Sequence, residues 1–241
     1  LQTVFLRFNV TRPPLDDVRV RRALSLAIDR TTLARTVLQG SRAPAFSLTP
    51  PGISGYTARA TAKSDFAAAR RLLAEAGHAK GDGLPVFELQ CRTDEIQPQL
   101  AEALQAMWQQ EIGVRIVIAP SEQKTWLQNQ QTRNYAIAIS SWVADIPDPG
   151  NFLGLFVTDG GYNWTGWADG SYDQLLAEAA PVSDSAQRGE LYQRAESLLL
   201  EAAPIAPIFF GAQTYLLDPA VKGWPPAPLG FRRYQLVHLE K

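Results

Sequence analysis

"VRIVIAPSEQKTWLQNQQTRNYAIAISSW", Val114 to Trp142, decides the fold. Val114 to Ala119, rich in β-branched residues, reads as a continuous apolar strand, and Tyr135 to Trp142 as one buried on both faces. Ser121 to Gln130 reads as a helix with Ser121 as its cap. Upstream, Val86 to Gln90 is another short strand. Glu95 to Gln110 is a helix, with Ile96, Leu100, Leu104, Met107 and Trp108 on one face and Gly113 beyond its end. Strand, helix, strand, helix, strand makes two crossover units, and crossovers join parallel strands. The expected class is therefore α/β, with a mostly parallel central sheet flanked by helices.

Outside this block the patterns are weaker. Thr3 to Asn9 alternates as a strand. "RPPLDDVRVRRALSLAIDRTTLARTVL" reads as helix: Pro13 and Pro14 lead in extended, and Asp16 or Asp17 caps. Val20, Ala23, Leu24, Ala27 and Ile28 share the inner face, which leaves the arginines outside, and Thr31 caps a second set of turns ending at Gly40. Residues 41 to 63 lack any period and read as a long surface loop. Asp65 to Ala76 is a helix stopped by Gly77. Asn151 to Phe156 reads as one or two helical turns, followed by a Gly- and Trp-rich loop. Ser171 with Gln174 has capping-box spacing. Asp184 to Ala202 is a long helix, Ile205 to Thr214 a strand, and the tail is Pro-rich.

The 241 residues are 46% hydrophobic and 20% charged, an ordinary globular composition. A net charge of -1 offers no excess of basic groups for a phosphate backbone, so nucleic acid is not an expected partner. Cys91 is alone, so no internal disulfide forms, and its solitude says little about compartment. No apolar stretch approaches the ~20 residues of a membrane helix. His78 and His238 are far apart, so no metal site and no cofactor are expected. The motifs of nucleophile elbows, P-loops and dinucleotide folds are missing, so no catalytic residue is nominated. A hydrolase using Asp145 and Asp148 is the enzymatic rival. The chain opens "LQTVFLRFNV", already in alternation and without a signal peptide, and reads as a piece of a longer protein.

In open parallel sheets, ligands gather at the carboxyl ends of strands. "SSWVADIPDPGNF", Ser140 to Phe152, is such an end. There Asp145 follows Trp142, a pairing that suits a primary ammonium group: carboxylate for charge, ring for apolar surface and cation attraction. Pro147 and Pro149 reduce the loop's freedom. From residue type alone, Asp145 more readily caps the short helix at Asn151 or starts a turn. Trp164 and Trp167 divide evenly between lining a cleft and packing a core.

Three segments carry a family resemblance. "FNVTRPPLDDVRVRRALSLAIDR", Phe8 to Arg30, is the most specific; "SSWVADIPDPGNF" and "YNWTGWADGSYDQLLAEAA" with "RGELYQRAESLLLEAAPIAPIFF" follow in order. Together they resemble the second lobe of a bacterial extracellular solute-binding protein of family 5. That group contains the oligopeptide- and dipeptide-binding proteins of ABC transporters. The resemblance implies a type II periplasmic-binding-protein lobe: residues 1–241 form the carboxyl-terminal of two lobes, and 225–241 are a tail returning toward the missing amino-terminal lobe. It implies a periplasmic or lipid-anchored extracellular receptor. A peptide or similar small solute lies in the inter-lobe cleft and is delivered to ABC permease subunits, and any lipid anchor lies outside this chain. The family's ammonium-binding Asp matches Asp145, with Trp142 and Ala144 in the same motif and Trp164 and Trp167 as further lining. Ile139 and Gln130 stand where oligopeptide binders can carry arginine, so Arg133 is the nearest basic residue for a peptide carboxylate. Relatives that bind nickel complexes, opines or oligosaccharides share these motifs, and a ligand-sensing domain of a transcription regulator is a further alternative. Asp17, Arg19, Arg21 and Asp29 are expected to cap a helix and pair across its exposed face, away from ligand.

Overall fold

Alternation in the first strand divides the interior in two. The structure, a computed structural model, describes residues 1–241 except 95, 213, 214, 226, 228, 230 and 241. In β1 (Gln2–Phe8), Val4, Leu6 and Phe8 enter one core and Phe5 the other, as a period of two requires. There follow α1 (Val18–Leu26), α2 (Arg30–Thr36) and α3 (Phe66–Glu75). Next come β2 (Phe87–Arg92), α4 (Gln97–Ile112), β3 (Ile116–Ser121), α5 (Gln123–Gln131) and β4 (Ile137–Val143). After α6 (Gly150–Leu153), α7 (Gly170–Ala179) and α8 (Ser185–Ala202), β5 (Ile205–Phe210) completes the main sheet. The tail adds a small ribbon of β6 (Val221–Lys222) and β7 (His238–Leu239). The expected first helical residue Glu95, the expected strand residues Gln213 and Thr214, and four tail positions lie outside the described residues.

The strand order is β3-β2-β4-β1-β5. β2 runs parallel to β3 and β4, as the crossover reading requires. β1 is antiparallel to both β4 and β5, so the α/β sheet is mixed rather than mostly parallel. The crossover rule governs only strands inside the strand–helix–strand units, and β1 and β5 lie outside them. The step from β2 to β3 goes outward and the step from β3 to β4 returns across β2. Right-handed crossovers in opposite directions put α4 and α5 on opposite faces. Leu100, Leu104 and Trp108 of α4 share a core with Leu6, Leu89, Ile137 and Ile139. The other core joins Phe5 to Phe152, Phe156, Tyr172, Leu175, Ala195 and Leu199 from α6, α7, α8 and the turn at 154–156.

Polar residues depart most from expectation. Asp17 caps α1 and pairs with Arg19, as expected. Arg21 does not lie on the exposed face. It is buried, and its guanidinium donates to Leu15 O at 2.8 Å and Ala202 O at 2.6 Å. Burial lowers its pKa to about 10. Arg30 has 0% exposure, donates to Pro207 O at 2.6 Å and to Ser25 O at 3.1 Å, and is lowered by burial to about 9. Buried charge persists where backbone carbonyls meet it. These two arginines therefore tie α1 and α2 to the end of α8 and to β5.

Three caps differ by a residue or two. Asp29, not Thr31, caps α2, because Ala27 to Asp29 break the helix. Glu122 rather than Ser121 caps α5, since Ser121 still belongs to β3. Asp169 caps α7 through Ser171 N and Tyr172 N, and Gln174 bonds Glu178 instead of closing a capping box. The 41–63 segment is not a free surface loop. Leu48, Thr49, Ile53 and Tyr56 are buried, and the buried Glu196 carboxylate accepts from Leu48 N at 2.8 Å, Thr49 N at 2.9 Å and Tyr56 OH at 2.8 Å.

Candidate functional site

β4 sits between β2 and β1, but its two neighbours leave it at different points. β1 stays paired to Val143, and Ala144 N continues the ladder to Leu1 O at 2.9 Å. β2 pairs only Leu89 with Ile137 and Gln90 with Ala138. Beyond Ala138 the two strands part, and Trp126 Nε1 of α5 donates to Ile139 O at 3.1 Å in the gap. The carboxyl end of β4 thus opens on one side and remains anchored on the other.

Asp145 follows directly. It is exposed, and its carboxylate has neither a hydrogen bond nor an ion pair among the described residues. It does not cap α6, whose first turn has no side-chain cap. The Asn151 side chain fixes the local geometry instead: its Oδ1 accepts Asp145 N at 3.1 Å and Trp142 Nε1 at 2.9 Å. One amide oxygen therefore aims both the ring and the backbone that carries the carboxylate.

Asp148 is bound up in the scaffold. Its Oδ1 accepts Gly150 N at 2.7 Å and Tyr192 OH at 3.2 Å, and its Oδ2 pairs with Arg188 Nη2 at 3.0 Å. The Ser54 hydroxyl donates to Pro147 O. α8 and the 41–63 segment thus brace the proline loop. The two aspartates have opposite situations, one committed and one open, which does not favour the acid-pair reading.

An aromatic path leaves the site. Trp142 meets Tyr162 edge-on with centroids 5.0 Å apart, and Tyr162 lies 6.1 Å from Trp164. Arg7 of β1 places its guanidinium 4.7 Å from the Trp164 ring and donates to Tyr162 O at 3.0 Å. Arg7 is only 3% exposed, and burial lowers its pKa to about 10. Sequence reasoning passed over Arg7, although a cation at an inward position of an alternating strand was the available sign.

The other nominated residues separate. Trp167 is a core residue, 8% exposed and edge-on to Tyr172 at 5.0 Å, so it does not line a cleft. Ala144 is buried among the second core, so its side chain faces away from the opening. Arg133 is exposed at the entry to β4, whereas Asp145 lies past its exit. The seven residues of β4 between them hold them about 20 Å or more apart. Arg133 instead borders a shallow polar cavity of about 570 Å³ with Asp159, Gly161 and Trp164. Gln130 is buried, with both amide atoms unpartnered. Among the described residues, no three His, Cys, Asp or Glu side chains form a metal-binding group, and no helix is long and apolar enough to cross a membrane.

A family model described as bacterial extracellular solute-binding proteins, family 5 middle, matches residues 1–164. The chain belongs to this family. Within family 5, it is 32% identical over 225 residues to the oligopeptide-binding protein OppA of Bacillus subtilis, covering 90% of this chain and 41% of that protein. It is 34% identical over 231 residues to the probable deoxycholate-binding periplasmic protein YgiS of Escherichia coli, covering 93% and 43%. The solved structure of the Escherichia coli murein tripeptide binding protein MppA superposes with a TM-score of 0.86 at 30% identity, covering 100% of this chain and 48% of that one. The chain thus spans less than half the length of the curated relatives it matches. These relatives carry the names of binding proteins.

Proposed function

We propose that this chain is the second lobe of a two-lobed receptor that captures short peptides and hands them to an ABC importer. The observation that carries the reading is the open Asp145 carboxylate at the mouth of β4, with Trp142 locked beside it by Asn151. A peptide's α-ammonium is a compact cation with several donors, and it matches a carboxylate that no internal group has claimed. The braced proline loop limits the entropy lost on binding. Trp142, Tyr162 and Trp164 supply apolar and π surface for the first side chains. Relatives named as oligopeptide-, murein tripeptide- and dipeptide-binding proteins support the ligand class. Those named periplasmic support a location outside the cytoplasm.

Calorimetry of the full-length protein with tetra-alanine and its N-acetyl form tests this. Asp145→Asn and N-acetylation should each weaken binding by about 10- to 100-fold, the value of a charge-assisted hydrogen bond. Unchanged affinity in both cases would remove Asp145 from the site.

A further inference from the structure

Three residues of α8 line up one turn apart. Arg188, Tyr192 and Glu196 are spaced by four, so they share one face of the helix. One end of that face meets the loop of residues 146–149, and the other meets the 41–63 segment. Arg188 Nη2 pairs with Asp148 Oδ2 at 3.0 Å, and Arg188 Nε donates to Tyr192 Oη at 3.0 Å. The Tyr192 hydroxyl donates to Asp148 Oδ1 at 3.2 Å, and its ring meets Tyr56 edge-on with centroids 6.3 Å apart. The Tyr56 hydroxyl donates to Glu196 Oε2 at 2.8 Å. A contiguous path of polar and ring contacts thus joins a buried carboxyl group to the loop that follows Asp145.

Glu196 is 0% exposed, and no cation is among the groups that act on it. The titratable groups that face it are tyrosines: Tyr56 from the segment, Tyr172 from α7 and Tyr192 one turn back on its own helix. Arg59 of the segment is exposed and pairs with Glu190 at 2.6 Å. Ionised, the carboxylate has three donors, Leu48 N, Thr49 N and Tyr56 OH, but no counter-charge. A buried charge in that position is costly. Burial accordingly raises the pKa, against hydrogen bonds that lower it. The packed segment therefore holds the proton more tightly than a lifted segment that lets water reach the carboxyl. Packing is favoured fully below the ordinary glutamate value of about 4.3, and the advantage is lost as pH rises through the raised value.

What the segment does for the loop is direct: the Ser54 hydroxyl donates to Pro147 O. Its two ends are pinned independently of Glu196. Thr3 Oγ1 donates to Leu48 O at 2.7 Å, and Gln193 Nε2 donates to Thr57 O at 2.8 Å. Loosening is thus confined to the turn between them, which carries Ser54 and Tyr56. We propose that Glu196 is a proton-sensitive latch on the binding loop: its neutral carboxyl keeps residues 49–56 packed with Ser54 on Pro147, and its ionisation frees them and weakens binding at Asp145. The last step rests on the reading of Asp145 given above.

The test compares full-length wild type with Glu196→Gln, which keeps an acceptor for the two amides and stays neutral at every pH. The first readout needs no ligand. Hydrogen exchange at Leu48 N and Thr49 N is measured in both proteins at the same series of rising pH values, so that intrinsic exchange cancels in the ratio. The wild-type amides should lose protection relative to the variant as pH rises. A constant ratio overturns the latch and leaves Asp145 untouched. The second readout is calorimetric affinity for tetra-alanine at the same pH values. Wild-type affinity should fall by about 5-fold or more relative to the variant, the low end of an ordinary coupling between sites. A constant affinity ratio beside a changing exchange ratio overturns the link to the loop. Adding Ser54→Ala and Tyr192→Phe to the wild type should abolish the affinity change and keep the exchange change; an affinity change that survives overturns the route. If tetra-alanine binds neither protein, the peptide reading fails, and exchange at Gly150 N, whose acceptor is Asp148 Oδ1 at 2.7 Å, takes the place of affinity. It should lose protection in the wild type as pH rises, and a constant ratio there overturns the proposal.

Discussion

Replacing Glu196 with alanine should loosen the 41–63 segment and lower global stability by about 3–9 kcal/mol. The figure follows from three partners that lose their acceptor at once: Leu48 N, Thr49 N and Tyr56 OH, all bonded to a carboxylate with 0% exposure. Each buried group left unmet costs about 1–3 kcal/mol. Glu196→Gln keeps an acceptor for the two amides and should cost far less. The pair of variants also carries a pH signature. Burial raises the Glu196 pKa, against the hydrogen bonds that lower it. The folded chain therefore holds this proton at pH values where the unfolded chain, near ~4.3, has released it. The stability owed to this group falls as pH rises from about 4.3 through the folded pKa. Urea unfolding of the wild type and Glu196→Gln at a series of rising pH values measures the difference. It should shrink with rising pH as the wild type loses its advantage. A difference that grows with pH, or a Glu196→Ala midpoint equal to that of the wild type, would refute the reasoning.

Arg30→Lys should destabilise by about 2–4 kcal/mol in the same assay, because a single ammonium cannot reach Pro207 O, Ser25 O and Ile28 O together. Gly150→Ala should cost about 1–3 kcal/mol and weaken peptide binding, since a Cβ there would meet Tyr192 Oη at 2.7 Å and Asp148 Oδ1 at 2.9 Å. Trp167→Ala should lose about 3–5 kcal/mol as a core deletion. Trp164→Ala should keep more of the stability and lose more of the affinity, as thermal melts and calorimetry on the same samples would reveal. If the chain is one of two lobes, as proposed above, the 241 residues alone should bind tetra-alanine weakly or undetectably, because half of the contacts would come from the other lobe; micromolar affinity by calorimetry would contradict this.

The parallel block was legible because each of its elements buries a continuous or periodic apolar face, and that pattern is local. β1 and β5 were recognisable as strands, but their direction in the sheet was not, since no crossover dictates it. Arg7, Arg21, Arg30 and Glu196 were misjudged or missed for one reason. Their residue type argues for the surface, while their partners lie on segments remote in sequence, such as Ala202, Pro207 and Leu48. The openness of Asp145 was foreseeable only as one of two outcomes. Which one holds depends on Asp148 and Asn151 filling the structural duties nearby. Trp164 and Trp167 are the same residue type three positions apart, and only the fold separates surface from core.

The shared oxygen of Asn151 has an evolutionary consequence. Indole and carboxylate hang from one hinge pin, so drift in either spoils the aim of both. Family members that differ in ligand should therefore leave the 142–145–151 trio alone. They would rewrite the surrounding surface instead, at positions such as 164, whose ring nitrogen bonds only its own loop and where a change can be tried singly.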